Sequence, residues 1–249
     1  MNNYIWYGLF TTFEEAAIEA ERLNQPLADT TNDGFNSKIW QEKQIIMYQE
    51  ALEGVYKRNT NIESALEDSK VESIIDFGGG SGWIHAFLQN KPHLKHIEYF
   101  NLEIPSTKAA FEQVIKTGNL YKWLDFDDSE SNFGINMIYS NSAIQYLSNN
   151  KALIDLVLRY QPTVILLDDV FESAEQDLYS LQNYYKFYQV NRFISVNLLA
   201  DQIEKMGYQL LEKIPYVNNY SEKMISEILL PDGTTLAKPS TVSLKFVKK

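Results

Sequence analysis

An apolar run that ends in a cluster of glycines sets the terms for this chain: Ile74-Ile75-Asp76-Phe77-Gly78-Gly79-Gly80-Ser81-Gly82, followed at once by a helical pattern. Glycine admits left-handed backbone and puts no Cβ between the chain and a ligand. The run therefore suits a sharp strand-to-helix turn that a bound cofactor approaches closely. The plainer alternative is a tight turn that only packs strand against helix. Gly78, Gly80 and Gly82 follow a Gly-x-Gly-x-Gly spacing. Dinucleotide-binding enzymes place the third glycine one residue later, so the spacing points away from NAD.

Around this loop, short apolar runs alternate with helical stretches, the pattern of βαβ units on a parallel sheet. Strands are expected at Ser73 to Phe77, Ile97 to Leu102, Leu120 to Leu124, Ile135 to Tyr139 and Val164 to Leu167. Two more are expected at Tyr208 to Ile214 and Val242 to Val247, on either side of an irregular segment around Pro231-Asp232-Gly233. Helices are expected at Gly82 to Gln89, Ser106 to Lys116, Asn150 to Tyr160 and Val196 to Met206. The fold class is thus α/β, a Rossmann-like, mostly parallel seven-stranded sheet flanked by helices.

Residues 1–70 read as an N-terminal helical extension. Ala16, Ala17, Ala20 and Leu23 recur at helical spacing, as do Ile39, Trp40, Ile46, Met47, Leu52 and Val55. Thr12 and Glu15 resemble a capping box, and Asp29 to Gly34 is turn-rich. Residues 71–249 are expected to form the core. Within it, residues 171–193 are too long for an ordinary connection and carry Tyr179, Tyr184, Tyr185, Phe187 and Tyr188, which suggests a substrate lid, with core or subunit interface as the alternative.

A chain of 249 residues with 45% apolar content can bury one large core. Its 33 acidic and 22 basic residues give a formal charge of -11, which disfavours a nucleic-acid partner. Cysteine is absent, and the three histidines show no metal-ligand spacing, so no metal is expected. The segment Met1 to Phe13 lacks the basic and apolar blocks of a signal peptide, and no later run is of membrane-spanning length. Cytoplasmic residence is the simplest expectation, and a homo-oligomer stays open.

Several residues at expected strand ends carry chemistry. Glu103 follows the next strand about twenty residues past the loop, where an acid holds ribose hydroxyls. Asp125 and Phe126 follow the third strand and suit an adenine edge, or an acidic surface turn. Asn141 and Ser142 follow the fourth, as cofactor contacts or a helix N-cap. Asp168 and Asp169 stand at the mouth of the fifth and are candidate general bases, with His85 a rival just inside the helix after the loop.

Together these residues resemble the class I S-adenosylmethionine-dependent methyltransferases, whose first motif has the Asp-x-Gly-x-Gly-x-Gly form found here from Asp76 to Gly82. The resemblance implies that Asp76, Gly78, Gly79, Gly80 and Gly82 surround the methionine portion of S-adenosyl-L-methionine, that Glu103 holds its ribose, and that Asp125 or Phe126 borders its adenine. The product would be S-adenosyl-L-homocysteine. A narrower resemblance rests on Trp6-Tyr7-Gly8-Leu9-Phe10, Glu14-Glu15-Ala16, Asn141 to Leu147, Gln182 and Arg192-Phe193. It points to a methyltransferase family associated with polysaccharide and surface-glycan biosynthesis, and so to a sugar or glycan-precursor acceptor. A small non-glycan acceptor, or a binding protein without turnover on the same fold, are the competing readings.

Overall fold

The computed structural model describes residues 5–25, 34–35, 37–55, 60–67, 70–113, 115, 118–126, 134–184, 186–217, 227–238 and 240–249. Residues 29–33 of the expected turn, Asp127, Asp128, Tyr185 and parts of the last turn expected before Lys116 lie outside that set.

Four central strands, β2 (Ser73–Phe77), β3 (Glu98–Leu102), β4 (Tyr121–Leu124) and β5 (Met137–Asn141), run parallel with β6 (Val164–Ser173) in the order β4-β3-β2-β5-β6. β12 (Thr241–Lys248) lies antiparallel between β6 and β9 (Tyr208–Pro215). Both faces of the central strands are covered, so Ile74 and Ile75 are each fully buried while pointing into different cores. One core lies under α2 (Lys38–Leu52), α3 (Ile62–Glu67), α4 (Trp83–Gln89) and α5 (Pro105–Glu112). The other lies under α6 (Lys151–Tyr160) and α7 (Val196–Glu204), which contribute Leu153, Leu156, Val157, Leu199 and Ile203.

The expected seven strands are too few: among the described residues the sheet has 12. Five extra strands join it beyond β6, in the order β11-β10-β1-β7-β8: β1 (Trp6–Phe10), β7 (Leu178–Tyr184), β8 (Phe187–Ser195), β10 (Glu227–Leu229) and β11 (Thr235–Ala237). β7 and β8 form an antiparallel hairpin from the aromatic-rich segment, and β1 pairs with β7, Trp6 opposite Gln182. The N-terminal region is therefore not helical alone, because β1 finds its partners far along the chain and its pairing leaves no local periodicity.

β6 also runs beyond Leu167, so Asp168 and Asp169 lie within a strand and not past its end. Leu167 pairs with Leu244 and Val170 with Val242, which sets one extra residue in β6 against β12. That is a β-bulge, and Asp169 adopts φ 57° within it. After the bulge, β6 leaves β5, keeps β12 through Val170 and Phe171, and pairs through Glu172 and Ser173 with β8. This single strand joins the central sheet to the hairpin.

In α1 (Phe13–Asn24), Thr12 accepts a hydrogen bond from the Glu15 amide at 3.2 Å, and the Glu15 carboxylate reaches back to the Thr11 amide at 3.3 Å. α1 packs Ala16 and Ala20 on Tyr179 and Leu181 of β7. The buried stripe of α2 is Trp40, Gln44, Met47, Tyr48 and Ala51, whereas Ile39, Ile46 and Leu52 are exposed. The apolar spacing misplaced this face because two of its inward residues, Gln44 and Tyr48, are polar in type.

Arg192, only 1% exposed, fastens β8 to its surroundings. Its guanidinium donates to Asp177 at 3.2 Å and to Asn150, at the start of α6, at 2.6 Å. Arg192→Met should lower the unfolding free energy in urea by about 3 kcal/mol, because Asp177 and Asn150 lose a buried charged partner. A loss within about 0.5 kcal/mol would show that the hairpin does not depend on this clamp.

Candidate functional site

The glycine loop is held from both sides by polar groups. The Gly78 amide donates to the Leu102 carbonyl at 2.8 Å, and the Gly80 amide to Glu103 Oε1 at 3.0 Å. Asn101 Nδ2 donates to the Gly80 carbonyl at 3.1 Å and to the Tyr121 hydroxyl at 2.7 Å. On the other flank Ser81 Oγ donates to the Gln44 carbonyl of α2 at 2.9 Å. Gly80 has φ 57°, left-handed backbone that favours glycine, and a Cβ there would lie 2.7 Å from Gln44 Oε1, which would have to move. Asp76 is 1% exposed and accepts a hydrogen bond from Tyr99 beneath the loop.

Above the loop is a cavity of about 660 Å³ at the carboxyl ends of β2, β3 and β5 and beside the bulge of β6. Gly78, Gly79, Gly80, Glu103, Phe126, Asn141 and Asp169 all line it. Asp76, Gly82, Asp125, His85 and Asp168 do not. Asp76 and Gly82 support the loop from below, Gly82 against the Tyr121 ring. Asp125 turns out to solvent and pairs with Lys108 at 3.0 Å.

Glu103 sits at one end of the cavity, fixed by the Gly80 amide and by the Ile104 amide at 2.9 Å. Burial pushes its carboxyl above the ordinary carboxylate value, and hydrogen bonds from Ile104, Gly80 and Thr107 oppose that shift. Phe126 stands beside it, edge-on to Phe77 with ring centroids 5.6 Å apart.

In the middle of the cavity, Ser142 and Asp169 both have φ 57° and are hydrogen-bonded through Ser142 Oγ and Asp169 Oδ2. Two neighbouring non-glycine residues in left-handed backbone are a local cost, and such costs gather at ligand sites. Asn141 is held by the hydroxyls of Tyr139 at 3.0 Å and Tyr216 at 3.3 Å.

Two expected bases are displaced from the cavity. Asp168 is 1% exposed and accepts from the Asn61 amide and Nδ2, both at 2.9 Å, as well as from Thr60, Tyr139 and Ser243. Five donors make it an anchor between the approach to α3 and the sheet. His85 is buried against Tyr99 and Tyr121, with ring centroids 5.5 and 5.1 Å away. Burial pushes its imidazole down to about 4, so it is neutral at physiological pH.

Sequence reasoning missed several lining residues: Trp6, Lys43, Gln44, Gln145, Gln189 and Lys238. A polar residue one turn after Trp40 on a helix was a usable sign for Gln44. Lys43 shares that helix, Gln145 sits in the short turn after β5, and Trp6, Gln189 and Lys238 reach the cavity only through the non-local pairing of β1, β8 and β11. The fold also brings together Glu63, Glu67 and His93, which the sequence keeps apart, although Lys91 already pairs with Glu63 at 2.9 Å.

No family model matches the sequence, and no curated protein matches it either. Solved structures do match the fold. The Burkholderia thailandensis 1,6-didemethyltoxoflavin-N1-methyltransferase, solved with 1,6-didemethyltoxoflavin and S-adenosylhomocysteine, aligns with TM-score 0.54 at 11% identity, over 95% of this chain and 89% of its own. A chain from the complex between the Haloferax volcanii Trm112 methyltransferase activator and its methyltransferase partner aligns with TM-score 0.55 at 15% identity, over 88% of this chain and 97% of its own. At such identities the likeness is one of architecture: an α/β fold with a mostly parallel mixed sheet, shared with methyltransferase structures.

The buried His85 gives a pH test. The unfolded chain takes up a proton near pH 6.5, whereas the folded chain does so only near 4, so stability falls as pH drops through that window and levels off below it. The linked loss is about 3 kcal/mol. His85→Phe should remove it, so that the difference in unfolding free energy between variant and wild type changes by about that amount from pH 7 to pH 4. A difference that stays constant with pH would contradict a neutral, desolvated His85.

Proposed function

We propose that this chain is an S-adenosylmethionine-dependent methyltransferase that O-methylates a sugar or glycan precursor. The observation that carries the reading is the meeting, in one cavity, of the glycine loop, the doubly anchored Glu103 carboxylate and the strained Ser142–Asp169 pair. A volume of about 660 Å³ fits a nucleoside-sized cofactor with part of an acceptor.

The residues fit the cofactor. Glu103 offers oxygens for the ribose hydroxyls, Phe126 and Phe77 an aromatic edge for adenine, and Gly78 to Gly80 a wall without side chains. Bound S-adenosylmethionine supplies a methyl group on a positively charged sulfur, already activated for in-line transfer. The protein's task is then to position the acceptor and remove one proton. In our reading Asp169 Oδ2 receives the proton of the attacking hydroxyl while Ser142 holds the carboxylate in place. Asp169 would thus hold the acceptor's proton beside Ser142, and the cofactor would supply the methyl group and keep the electron pair of its carbon–sulfur bond.

For the acceptor, Tyr146, Gln182, Asn183, Tyr184 and Gln189 give the far wall both aromatic faces and amides, as a hydroxyl-rich ring requires. Gln145 Oε1 and Gln189 Oε1 are buried without partners among the described residues, and such groups favour a ligand or water that satisfies them. The hairpin of β7 and β8 would act as the acceptor wall and lid, and residues 1–70 as the cover over cofactor and acceptor. Among the described residues no helix is long and apolar enough to cross a membrane.

Calorimetric titration should give binding of S-adenosylmethionine and S-adenosylhomocysteine but not of NAD, and Glu103→Ala should weaken binding about tenfold or more through lost ribose hydrogen bonds. Asp169→Asn should keep that binding and lower kcat about a hundredfold or more. Preferential NAD binding, or full turnover in Asp169→Asn, would contradict the proposal.

A further inference from the structure

The opposite end of the cavity from Glu103 contains a feature that cofactor binding does not use. The strand order puts Glu103 and Phe126 on the β3–β4 side of the glycine loop. Phe171, at the far end of β6, and Lys238, just after β11, lie on the other side, with Asn141, Ser142 and Asp169 between the two ends. Lys238 lines the cavity half-buried, its ammonium 4.0 Å from the centre of the Phe171 ring and 5.4 Å from that of Trp6.

Among the described residues, no hydrogen bond or ion pair engages this ammonium, and Asp169 is the charged neighbour that acts on it. Burial pushes it down to about 8, opposed by the Asp169 carboxylate. In a chain with formal charge -11, where acids are plentiful, a cation set on two aromatic faces and making no ion pair among the described residues is unusual. Aromatic faces offset only part of the lost hydration. Beside it, Trp6 is 1% exposed and its indole N–H has no acceptor among the described residues.

We propose that Lys238 forms a subsite for an acidic group on the acceptor, a carboxylate or a phosphate monoester, which it holds on the far side of Asp169 from the cofactor. The inference rests on the methyltransferase reading and deepens it: the acceptor is an acidic sugar, such as a uronic acid or a sugar phosphate, and not a neutral one. Lys238 pairs with the acid, and the ring's hydroxyl is thereby turned toward Asp169. Lys238 is a positioning residue for the acceptor and takes no part in the proton transfer.

The test is acetylation of the full chain by acetic anhydride at pH 8, with Lys238 and the exposed Lys205 followed by mass spectrometry. It is run with glucuronate, glucose 6-phosphate or glucose, each with and without S-adenosylhomocysteine. Glucuronate, glucose 6-phosphate or both should slow labelling of Lys238 about fivefold or more at concentrations several times Kd, leaving Lys205 unchanged, while glucose has no effect. Slowing by glucuronate alone assigns a carboxylate, and by the phosphate alone a phosphate ester. No slowing by either acid, or equal slowing by glucose, overturns the subsite. In calorimetry against the protective acid, Lys238→Met should lose about tenfold in affinity and Lys238→Arg should keep it, with S-adenosylhomocysteine binding unchanged in both. Equal acid binding by wild type and Lys238→Met also overturns it. If S-adenosylhomocysteine does not bind the wild type, the cofactor reading fails separately, and the arms without it still report on Lys238.

Discussion

The amide of Gly80, held by the Glu103 carboxylate at a left-handed turn of the backbone, is the contact on which the cavity depends. A carboxylate drawn partly out of water is costly, and two backbone donors, Gly80 and Ile104, compensate it. The same turn brings the Gly80 carbonyl to Asn101 and Ser81 to the Gln44 carbonyl, so β3 and α2 both grip the loop. Beneath it Asp76 and Asn101 fill the space that a side chain at Gly79 would need, and Tyr99 donates to Asp76. The glycine wall, the Glu103 carboxylate and the helix over them are thus consequences of one polar lattice in an otherwise apolar sheet.

The second organising feature is β6. Up to Leu167 it is an ordinary central strand, and at Glu172 and Ser173 it pairs with the sheet's extension. The bulge between those parts sends two adjacent acids to different fates. Asp168 is saturated with donors from Thr60, Asn61, Tyr139 and Ser243, while Asp169 faces the cavity beside Ser142. The strand therefore joins the half of the cavity built from β2 and β3 to the half lined by Phe171, Gln182 and Lys238.

What could be read from the sequence followed from local physics. The seven core strands and their helices are legible because runs such as Ile74-Ile75 and Val164 to Leu167 are buried on both faces and interrupted by turn chemistry. The glycine loop and Glu103 are legible because their spacing reflects a backbone requirement. The extension is not, since β1 gains its partners from β7 and β10, far along the chain, and the tyrosines of 171–193 suggest a loop as readily as a strand. Position alone could not separate Asp168 from Asp169, because a bulge depends on the partner strand. Nor could it show that His85 is enclosed by Tyr99 and Tyr121, or that Lys238 returns to the site from the end of β11.

The most direct test of the account is a crystal structure of the full chain grown with S-adenosylhomocysteine. It should place the ribose hydroxyls within hydrogen-bond distance of Glu103, the adenine beside Phe126, and the thioether sulfur facing the Ser142–Asp169 pair, with the space toward Lys238 left for the acceptor. Density for the ligand outside this cavity, or a ribose held by groups other than Glu103, would contradict it.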